Sequence, residues 1–352
     1  MPSPALSSCP PDEPSLEALL SAPDEETVAA LASLEGDILI LGAGGKMGPT
    51  VARMARLALD DSPTSPAGAP RRRVIAVSRF SSAAVAHELD AHGVDVVRAN
   101  LDDPREVAPL PDAPNVLWMA GQKFGTTGDP IGTWTQNVVA SVHAAERYRG
   151  SRIVCFSTGN VYGRTPVAHG GSGEHDALIP DGEYAASCIG RERVFQSITA
   201  RTHSALLLYR LFYACDLRYG VVTDIAYKML SGVPVSLAVG AVNVIWQGDA
   251  NRLALRALTC ASQPASVLNV TGPIVPVREI AERIGRLAGM TPVFEGTEGD
   301  DALLANTSRL ERRLPFTSLP LDTLCAWTVQ WIRQGGRLLN KPTSFEKRDG
   351  TY

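Results

Sequence analysis

The sequence contains no long apolar run, no extended basic run and no closely spaced cysteine pair. No segment of its 352 residues approaches the roughly 20 apolar residues that a membrane-spanning helix needs. The longest basic run is Arg71-Arg72-Arg73 and the formal net charge is −4, which argues against a broad nucleic-acid surface. We therefore expect a small-molecule partner, with no nucleic acid and no membrane.

The six cysteines form no Cys-x-x-Cys pair and no cluster with the six scattered histidines. Reduced thiols in the cytosol are the simplest account, and no metal site is expected. Residues 1–36 contain seven carboxylates but no lysine or arginine, unlike the basic start of a secretory or mitochondrial signal. We predict a cytoplasmic protein. Its acidic N-terminal extension, residues 1–36, is expected to form short helices that pack on the first domain, with contact to another subunit as the alternative. With 45% hydrophobic residues the chain can bury a large core.

An apolar strand, a glycine-rich turn and a helix follow the extension. Residues 37–41 are apolar, residues 42–48 are Gly-Ala-Gly-Gly-Lys-Met-Gly, and residues 51–59 have helical spacing. Such glycines permit positive φ and let the backbone approach a pyrophosphate at the positive end of the next helix. An ordinary turn of small residues is the alternative, but the preceding strand supplies the context that a dinucleotide fingerprint needs. The predicted cofactor-binding residues here are Gly42, Gly45, Lys46, Met47 and Gly48.

The end of the second strand, residues 74–77, bears on the choice of cofactor. An acidic residue there would bind the ribose hydroxyls and repel a 2′-phosphate, but the chain continues with Ser78 and Arg79. A hydroxyl and a guanidinium can hold that phosphate by charge-assisted hydrogen bonds. We predict NADP, with NAD possible, while a solvated surface role for Arg79 remains the alternative. Residues 60–70, rich in Ser, Pro, Gly and Ala, are predicted to form a surface loop.

Three further motifs follow: Ser157-Thr158, Val161-Tyr162-Gly163 and Tyr184-Ala185-Ala186-Ser187-Cys188. With the glycine turn they resemble the extended short-chain dehydrogenases, the NAD-dependent epimerase/dehydratase family that includes UDP-galactose 4-epimerases and nucleotide-sugar dehydratases. The resemblance covers most of the chain and rests mainly on residues 37–215. It implies an α/β fold with a Rossmann-type doubly wound parallel sheet and a smaller C-terminal substrate domain.

Strands and helices alternate up to about residue 210, which independently favours a parallel sheet with helices on both faces. We assign residues 37–210 to the NAD(P)-binding domain, with a return segment at about 235–262. Residues 211–234 and 263–352 are assigned to the smaller domain. The ligand is expected beyond the carboxyl ends of the strands.

The resemblance also implies roles for individual residues. Tyr184 would exchange a proton with the substrate, and Thr158 would orient the same oxygen. In the family, a lysine four residues after the tyrosine lowers its pKa, but Cys188 stands there. A thiol is neutral or negative and cannot replace an ammonium. Lys123, in an Ala-Gly-x-Lys loop, would either supply the missing charge or contact the cofactor's phosphates. Cys188 is predicted to be an apolar filler under the nicotinamide, with a nucleophile or redox sensor as the alternative.

Other site residues are predicted from their positions in the resemblance. The remaining cofactor-binding candidates are Asn100, Leu101, Ala120, Gly121 and Asn137. The remaining substrate-binding candidates are Asn160, Arg191 and Arg218, of which either arginine is suited to a substrate carboxylate. A homodimer is implied through the helices that bear Asn137 and Tyr184, where Val138, Val139, Val142, Phe195 and Ile198 suit either that contact or internal packing.

The predicted function is an NAD(P)-dependent oxidoreductase or epimerase acting on a sugar or sugar-acid-like alcohol or ketone. A cofactor-binding regulatory or interaction protein that lost turnover with the lysine is one alternative. A nucleotide-sugar epimerase or dehydratase is another, although residues 211–218 lack the nucleotide-binding pattern of those enzymes.

Overall fold

The computed structural model describes residues 8–62, 71–341, 343–348 and 350. The loop predicted at residues 60–70 lies mostly outside them. Seven strands form a parallel central sheet: β1 Ile38–Leu41, β2 Val74–Ser78, β3 Asp95–Arg98, β4 Asn115–Trp118, β5 Arg152–Thr158, β6 Ala205–Leu211 and β7 Ser266–Val270.

The strands lie side by side in the order β7-β6-β5-β4-β1-β2-β3. Strand β1 pairs in parallel with β4 on one side and with β2 on the other. All four of its residues are buried, which explains the unbroken apolar run in the sequence. The chain order reverses between β1 and β4, where doubly wound sheets open a ligand crevice beyond their carboxyl ends. The predicted Rossmann-type fold is confirmed.

Helices cover the sheet and form most of the C-terminal part. They are α1 Glu13–Leu20, α2 Glu25–Ala32, α3 Gly48–Asp60, α4 Ala83–Ala91, α5 Pro104–Val107, α6 Pro130–Trp134, α7 Ala140–Arg147, α8 Gly182–Thr202, α9 Val221–Leu230, α10 Gln247–Arg256, α11 Val277–Ala288, α12 Ser308–Arg313 and α13 Leu321–Arg333. A π-helical turn, Thr135–Val139, joins α6 to α7. Across the part of the chain that the structure describes, no helix combines the length and apolar character needed to cross a membrane.

Shorter elements complete the fold. Single 3₁₀ turns are Gly159–Tyr162, Val167–His169 and Ala257–Cys260. Two-stranded ladders pair Thr165–Pro166 with Asp301–Ala302, Ala214–Cys215 with Ile245–Trp246, Val235–Ser236 with Phe294–Glu295, and Ala241–Asn243 with Ile274–Pro276.

The N-terminal extension forms two capped helices. Asp12 accepts a hydrogen bond from the backbone N–H of Ser15 at the start of α1, and Asp24 accepts one from the backbone N–H of Thr27 at the start of α2. Leu16 and Leu20 on α1 and Leu31 on α2 are fully buried. These helices pack on α3 and α10. From residue 8 onward the extension is therefore part of the packed fold, and α1 packs both on α3 and α10 and in the cluster with α9, α11 and α13.

Two large hydrophobic clusters lie on either side of the predicted division. One packs α3 and α10 against the sheet, and the other joins α9, α11 and α13 with α1. The two-domain assignment remains a prediction, since the second cluster also includes Trp246 of the return segment and the first includes Leu310. One boundary is corrected, because residues 266–270 were assigned to the smaller domain but form β7, which pairs with β6 along its whole length.

Candidate active site

The glycine turn joins β1 to α3 at the crevice of the sheet. Gly42 has φ +89°, and a Cβ placed on it would lie 2.4 Å from the backbone nitrogen of Ala120. A Cβ on Gly48 would lie 2.4 Å from the carbonyl oxygen of Ala43. Glycine is thus required at both positions for close backbone packing. Among the described residues no side chain caps the start of α3, so its first N–H groups, except at Pro49, which has none, are available to an anion.

One cavity lies at the carboxyl edge of the sheet and contains most of the predicted site. It is lined by the predicted residues Gly42, Gly45, Lys46, Met47, Gly48, Ala120, Gly121, Lys123, Asn137, Thr158, Asn160, Tyr184 and Arg191. Ser78, Arg79, Asn100 and Leu101 lie outside the lining, at the ends of β2 and β3. Residues far apart in sequence are thereby brought to the same edge of the sheet.

The ends of β2 and β3 differ in what they expose. Ser78 lies beside the glycine turn, where a Cβ on Gly44 would lie 2.7 Å from its hydroxyl oxygen. Arg79 is exposed, and the backbone N–H of Asn100 donates to Glu106. Leu101 is a buried member of the core, so its side chain packs rather than facing a ligand. The prediction that Leu101 binds the cofactor is therefore wrong for its side chain, which belongs to the hydrophobic core.

Thr158 ends β5, and Tyr184 lies in the first turn of α8. The Thr158 hydroxyl donates to Asn160 Oδ1 at 2.9 Å. Beneath them, the carboxylate of Glu192 accepts from Arg210 Nε at 2.8 Å and Nη2 at 2.6 Å, and from the Ser157 hydroxyl. This buried pair joins α8, β6 and β5, and fixes the helix that carries Tyr184 relative to the strand that carries Thr158.

Asn137 is fully buried and ties a cavity loop to α8. Its Oδ1 accepts from the Gln122 backbone N–H at 2.8 Å, and its Nδ2 donates to the Gln122 carbonyl and the Ser187 hydroxyl. Asn137 therefore fixes the loop that carries Lys123. Sequence reasoning missed Ser187, because nothing local marks a serine whose partner lies 50 residues away.

Cys188 and Arg191 share a face of α8 with Tyr184, as spacings of four and seven residues require. Arg191 Nη2 donates to Cys188 Sγ at 3.3 Å, and Nη1 donates to the Ala120 carbonyl at 3.3 Å. Burial raises the pKa of the Cys188 thiol, opposed by the Arg191 charge and a hydrogen bond with the Tyr184 side chain. The thiol is therefore neutral, and the guanidinium of Arg191 is in contact with it. Arg191 Nε has no hydrogen-bond partner among the described residues.

Arg218 does not belong to this cavity. Its guanidinium is buried, with Nη1 2.5 Å from Glu17 Oε1 and Nη2 3.1 Å from Asp216 Oδ2. These two carboxylates form ion pairs with the guanidinium that the sequence analysis expected to bind a substrate carboxylate. Arg218 is corrected from a substrate-binding to a structural residue that joins α1 to the loop before α9.

The C-terminal segment contributes residues that the sequence analysis missed. Leu339, Lys341 and Thr343 line the cavity. The Thr343 hydroxyl donates to Asp224 on α9 at 2.5 Å, and the Leu339 backbone N–H donates to the Arg218 carbonyl at 3.0 Å. The sequence around Lys341 has no pattern that indicates a site. The segment lies next to the other cavity residues only in the folded chain.

Fold and site together define a doubly wound α/β protein with a cavity, lined by these polar and charged side chains among apolar ones, at the reversal of strand order. No family model and no curated protein matches the sequence. Among solved structures, the Bordetella bronchiseptica enzyme WbmG in complex with NAD and UDP is 15% identical, with a TM-score of 0.68 over 88% of this chain and 99% of its own.

Two further structures show the same likeness. The UDP-glucose 4-epimerase of Thermus thermophilus in complex with NAD is 20% identical, with a TM-score of 0.65 over 84% of this chain and 99% of its own. The Bacillus cereus UDP-glucuronic acid 4-epimerase in complex with NAD is 16% identical, with a TM-score of 0.66 over 85% and 99%. The protein shares the fold of these NAD complexes over most of its length.

Proposed function

We propose that the protein is an NAD(P)-dependent oxidoreductase or epimerase that acts on a sugar-like alcohol or ketone. One observation carries the proposal: the glycine turn, Thr158 and Tyr184 all line a single cavity at the carboxyl edge of the sheet. The similar structures contain NAD, and two are epimerases of UDP-sugars, which supports a nicotinamide cofactor and a sugar-like substrate.

The residues of the glycine turn fit a dinucleotide. The missing Cβ atoms of Gly42 and Gly48 allow the turn to close, and the uncapped start of α3 offers N–H groups to a pyrophosphate. Arg191 Nε offers a further donor without a protein partner among the described residues. When bound, the nicotinamide would exchange a hydride with the substrate carbon that carries the reacting oxygen.

Tyr184 would exchange a proton with that oxygen, and Thr158 would orient it. Bringing an unperturbed tyrosine from a pKa of about 10 to about 7 needs on the order of 4 kcal/mol of differential stabilisation. Arg191 is suited to supply part of it, since its guanidinium contacts the thiol that meets Tyr184 and stays charged at all working pH values. Lys123, 6.0 Å from the Tyr184 ring centroid, adds a second positive charge.

Two alternatives have some support. Cys188 in place of lysine favours a cofactor-binding regulatory or interaction protein without turnover. The UDP-sugar names of the similar structures favour a nucleotide-sugar epimerase or dehydratase. Turnover separates the first alternative from our proposal, and a requirement for a nucleotide separates the second.

Fluorescence titration with NADPH and NADH, followed by turnover assays, tests the proposal. The panel comprises neutral sugars, sugar acids, sugar phosphates, UDP-sugars and their keto forms, with reduced-cofactor absorbance and product epimer ratio both followed. We expect cofactor binding and turnover of at least one panel member without a nucleotide. Binding without redox or epimer turnover would support the regulatory alternative, and turnover of UDP-sugars alone would support the nucleotide-sugar alternative.

We further propose NADP as the cofactor, because Ser78 ends β2 and exposed Arg79 follows it, where an acidic residue would favour NAD. Arg79→Ala is expected to weaken NADPH binding about tenfold through loss of a charge-assisted contact with the 2′-phosphate, and to leave NADH binding unchanged. Parallel fluorescence titrations measure both. An equal effect on the two cofactors would contradict the assignment.

The cytoplasmic location and the homodimer also remain proposals. Val139 and Val142, on the helical segment that follows Asn137, are 45% and 36% exposed, which is compatible with a subunit contact there. Phe195 and Ile198 are buried in the core and cannot contribute to it.

A further inference from the structure

Three lysines project into the cavity from different parts of the chain. Lys46 belongs to the glycine turn, Lys123 to the loop after β4, and Lys341 to the C-terminal segment. Lys46 crosses away from its own turn, with Nζ 3.4 Å from the Ala214 carbonyl and 4.1 Å from the Tyr219 ring centroid. Its charge therefore lies on the side of the cavity next to α9.

Two aromatic rings connect the three ammonium groups. Lys123 Nζ and Lys341 Nζ lie 5.8 Å and 5.9 Å from the centroid of the same ring, that of Phe124. Phe124 meets Tyr219 edge to face, with centroids 6.5 Å apart. We call Lys46, Lys123 and Lys341 the lysine cluster. Its members lie around the Phe124–Tyr219 ring pair.

No aspartate or glutamate lines the cavity among the residues that the structure describes. The nearest carboxylates, Asp216 and Asp224, lie behind its wall, where Asp216 pairs with Arg218 and Asp224 accepts from Thr343. The charged side chains that line the cavity are therefore all positive, although the net charge of the chain is −4. Like charges at one site oppose each other, so the arrangement favours an anion between them.

The proposed cofactor accounts for only part of this charge. Its pyrophosphate would lie against the turn and the start of α3, whereas Lys46 points to Ala214 and Tyr219. Lys341 comes from the C-terminal segment, which lies far from the glycine turn in sequence and also lines the cavity. A second anionic group would account for the ammonium groups of the cavity that the pyrophosphate does not meet.

We propose that the lysine cluster binds an anionic oxygen group, a phosphate monoester or a carboxylate, on the same sugar-sized molecule that Tyr184 protonates or deprotonates. This inference rests on the proposed function of the cavity. Lys123 lies between the two ends, 6.0 Å from the Tyr184 ring and 5.8 Å from the Phe124 ring. One small substrate can therefore present its reacting carbon to Tyr184 and its charge to the cluster. The anion site is this cluster, in place of the Arg218 that the sequence suggested.

Calorimetric titration of the NADPH-saturated protein tests the inference. The probes are inorganic phosphate, glucuronate, glucose 6-phosphate, glucose and UDP-glucose at low ionic strength, and bound NADPH excludes the probes from the pyrophosphate site. We expect saturable binding of at least one small anionic probe, at least about tenfold tighter than glucose. The preferred anion then distinguishes a phosphate from a carboxylate substrate.

Lys341→Met should weaken binding of the preferred anion about fivefold and leave glucose unchanged, because one charge is removed from the cluster rim. Lys347→Met is the matched control: it removes the same charge from an exposed site on the same segment, outside the cavity lining. Equal losses in both variants would overturn the inference. So would equal affinity for glucose and the anions, no anion binding up to about 10 mM, or tighter binding of UDP-glucose that Lys341→Met leaves unchanged.

The pH dependence of glucuronate binding gives an independent test. Burial, with the nearby Lys46 charge, lowers the pKa of Lys123 to about 8, while Cys188 and Asp224 act in the opposite direction. Tyr184 and Lys341 also face this ammonium through shared aromatic contacts. Affinity should fall as the pH rises through about 8, because Lys123 loses its charge while the carboxylate keeps its own. Desolvation also lowers the pKa of Lys46, so Lys123→Met should weaken this dependence rather than remove it. A pH profile that Lys123→Met leaves unchanged would overturn the inference.

The outcomes are separable from those of the proposed function. If neither NADPH nor NADH binds, the proposed function fails at the first titration, and the same probes and variants then test the lysine cluster in the cofactor-free protein. If the cofactor binds and turns over a neutral sugar but no anionic probe binds, the proposed function stands and the anion site is overturned.

Discussion

Tyr184→Phe is expected to lower kcat about 10³-fold with a substrate identified from the panel, and to leave cofactor affinity almost unchanged. The hydroxyl is the proposed proton donor and acceptor, whereas the ring, which phenylalanine keeps, supplies the packing at the start of α8. Steady-state kinetics and NADPH titration of the same preparation measure the two effects separately.

Tyr227→Phe is the matched control, because Tyr227 is 53% exposed on α9 and lies outside the cavity lining. It should leave kcat unchanged. Retention of most of the turnover by Tyr184→Phe would remove Tyr184 from the mechanism. A cofactor-dependent binding activity that persists without turnover in both proteins would favour the regulatory alternative.

Arg191→Leu is expected to lower kcat by about 10- to 100-fold and to move the limb of the pH profile that reports Tyr184 upward by about one to two units. The reason is the loss of a positive charge next to the thiol that meets Tyr184. A shift of this sign follows because a nearby cation favours the phenolate, so its removal raises the tyrosine's pKa. A pH series of kcat measures it.

The control for Arg191 separates charge from packing. Cys188→Lys combined with Arg191→Leu should restore part of the rate and return the pH limb towards its original position, since the ammonium reaches the Tyr184 side of α8. Cys188→Lys alone should reduce activity, because it places a second cation beside the guanidinium. A slower Arg191→Leu variant with an unmoved pH limb would show that Arg191 only supports the packing.

The fold was predictable because its signals are local. The buried run Ile38–Leu41 and the glycine turn each specify their element from adjacent residues, and the structure has a buried strand and a tight turn there. The edge strand Ser266–Val270 was assigned to the wrong domain because a five-residue strand does not reveal its partner, which is β6 about 60 residues earlier.

The site was predictable only where residues follow strand ends or repeat along a helix. Thr158 and Tyr184 were found in this way, and the structure brings them to one cavity. Arg218 was misassigned because its partners, Glu17 and Asp216, depend on how the N-terminal extension packs. Arg191 was considered only for a substrate anion, since its contact with Cys188 depends on side-chain positions along α8 that the sequence does not give.

The succession Tyr184, Cys188 and Arg191 on α8 has a consequence for how relatives of this chain are recognised. A search pattern that demands lysine four residues after tyrosine rejects this sequence and any other that carries its cation one helical turn later. A pattern Tyr-x-x-x-Cys-x-x-Arg, used together with an upstream Gly-x-x-Gly-x-x-Gly turn, would retain such chains. Such chains would form a separate group. In each of them, the role proposed here for Arg191 could be tested at the arginine seven residues after the tyrosine.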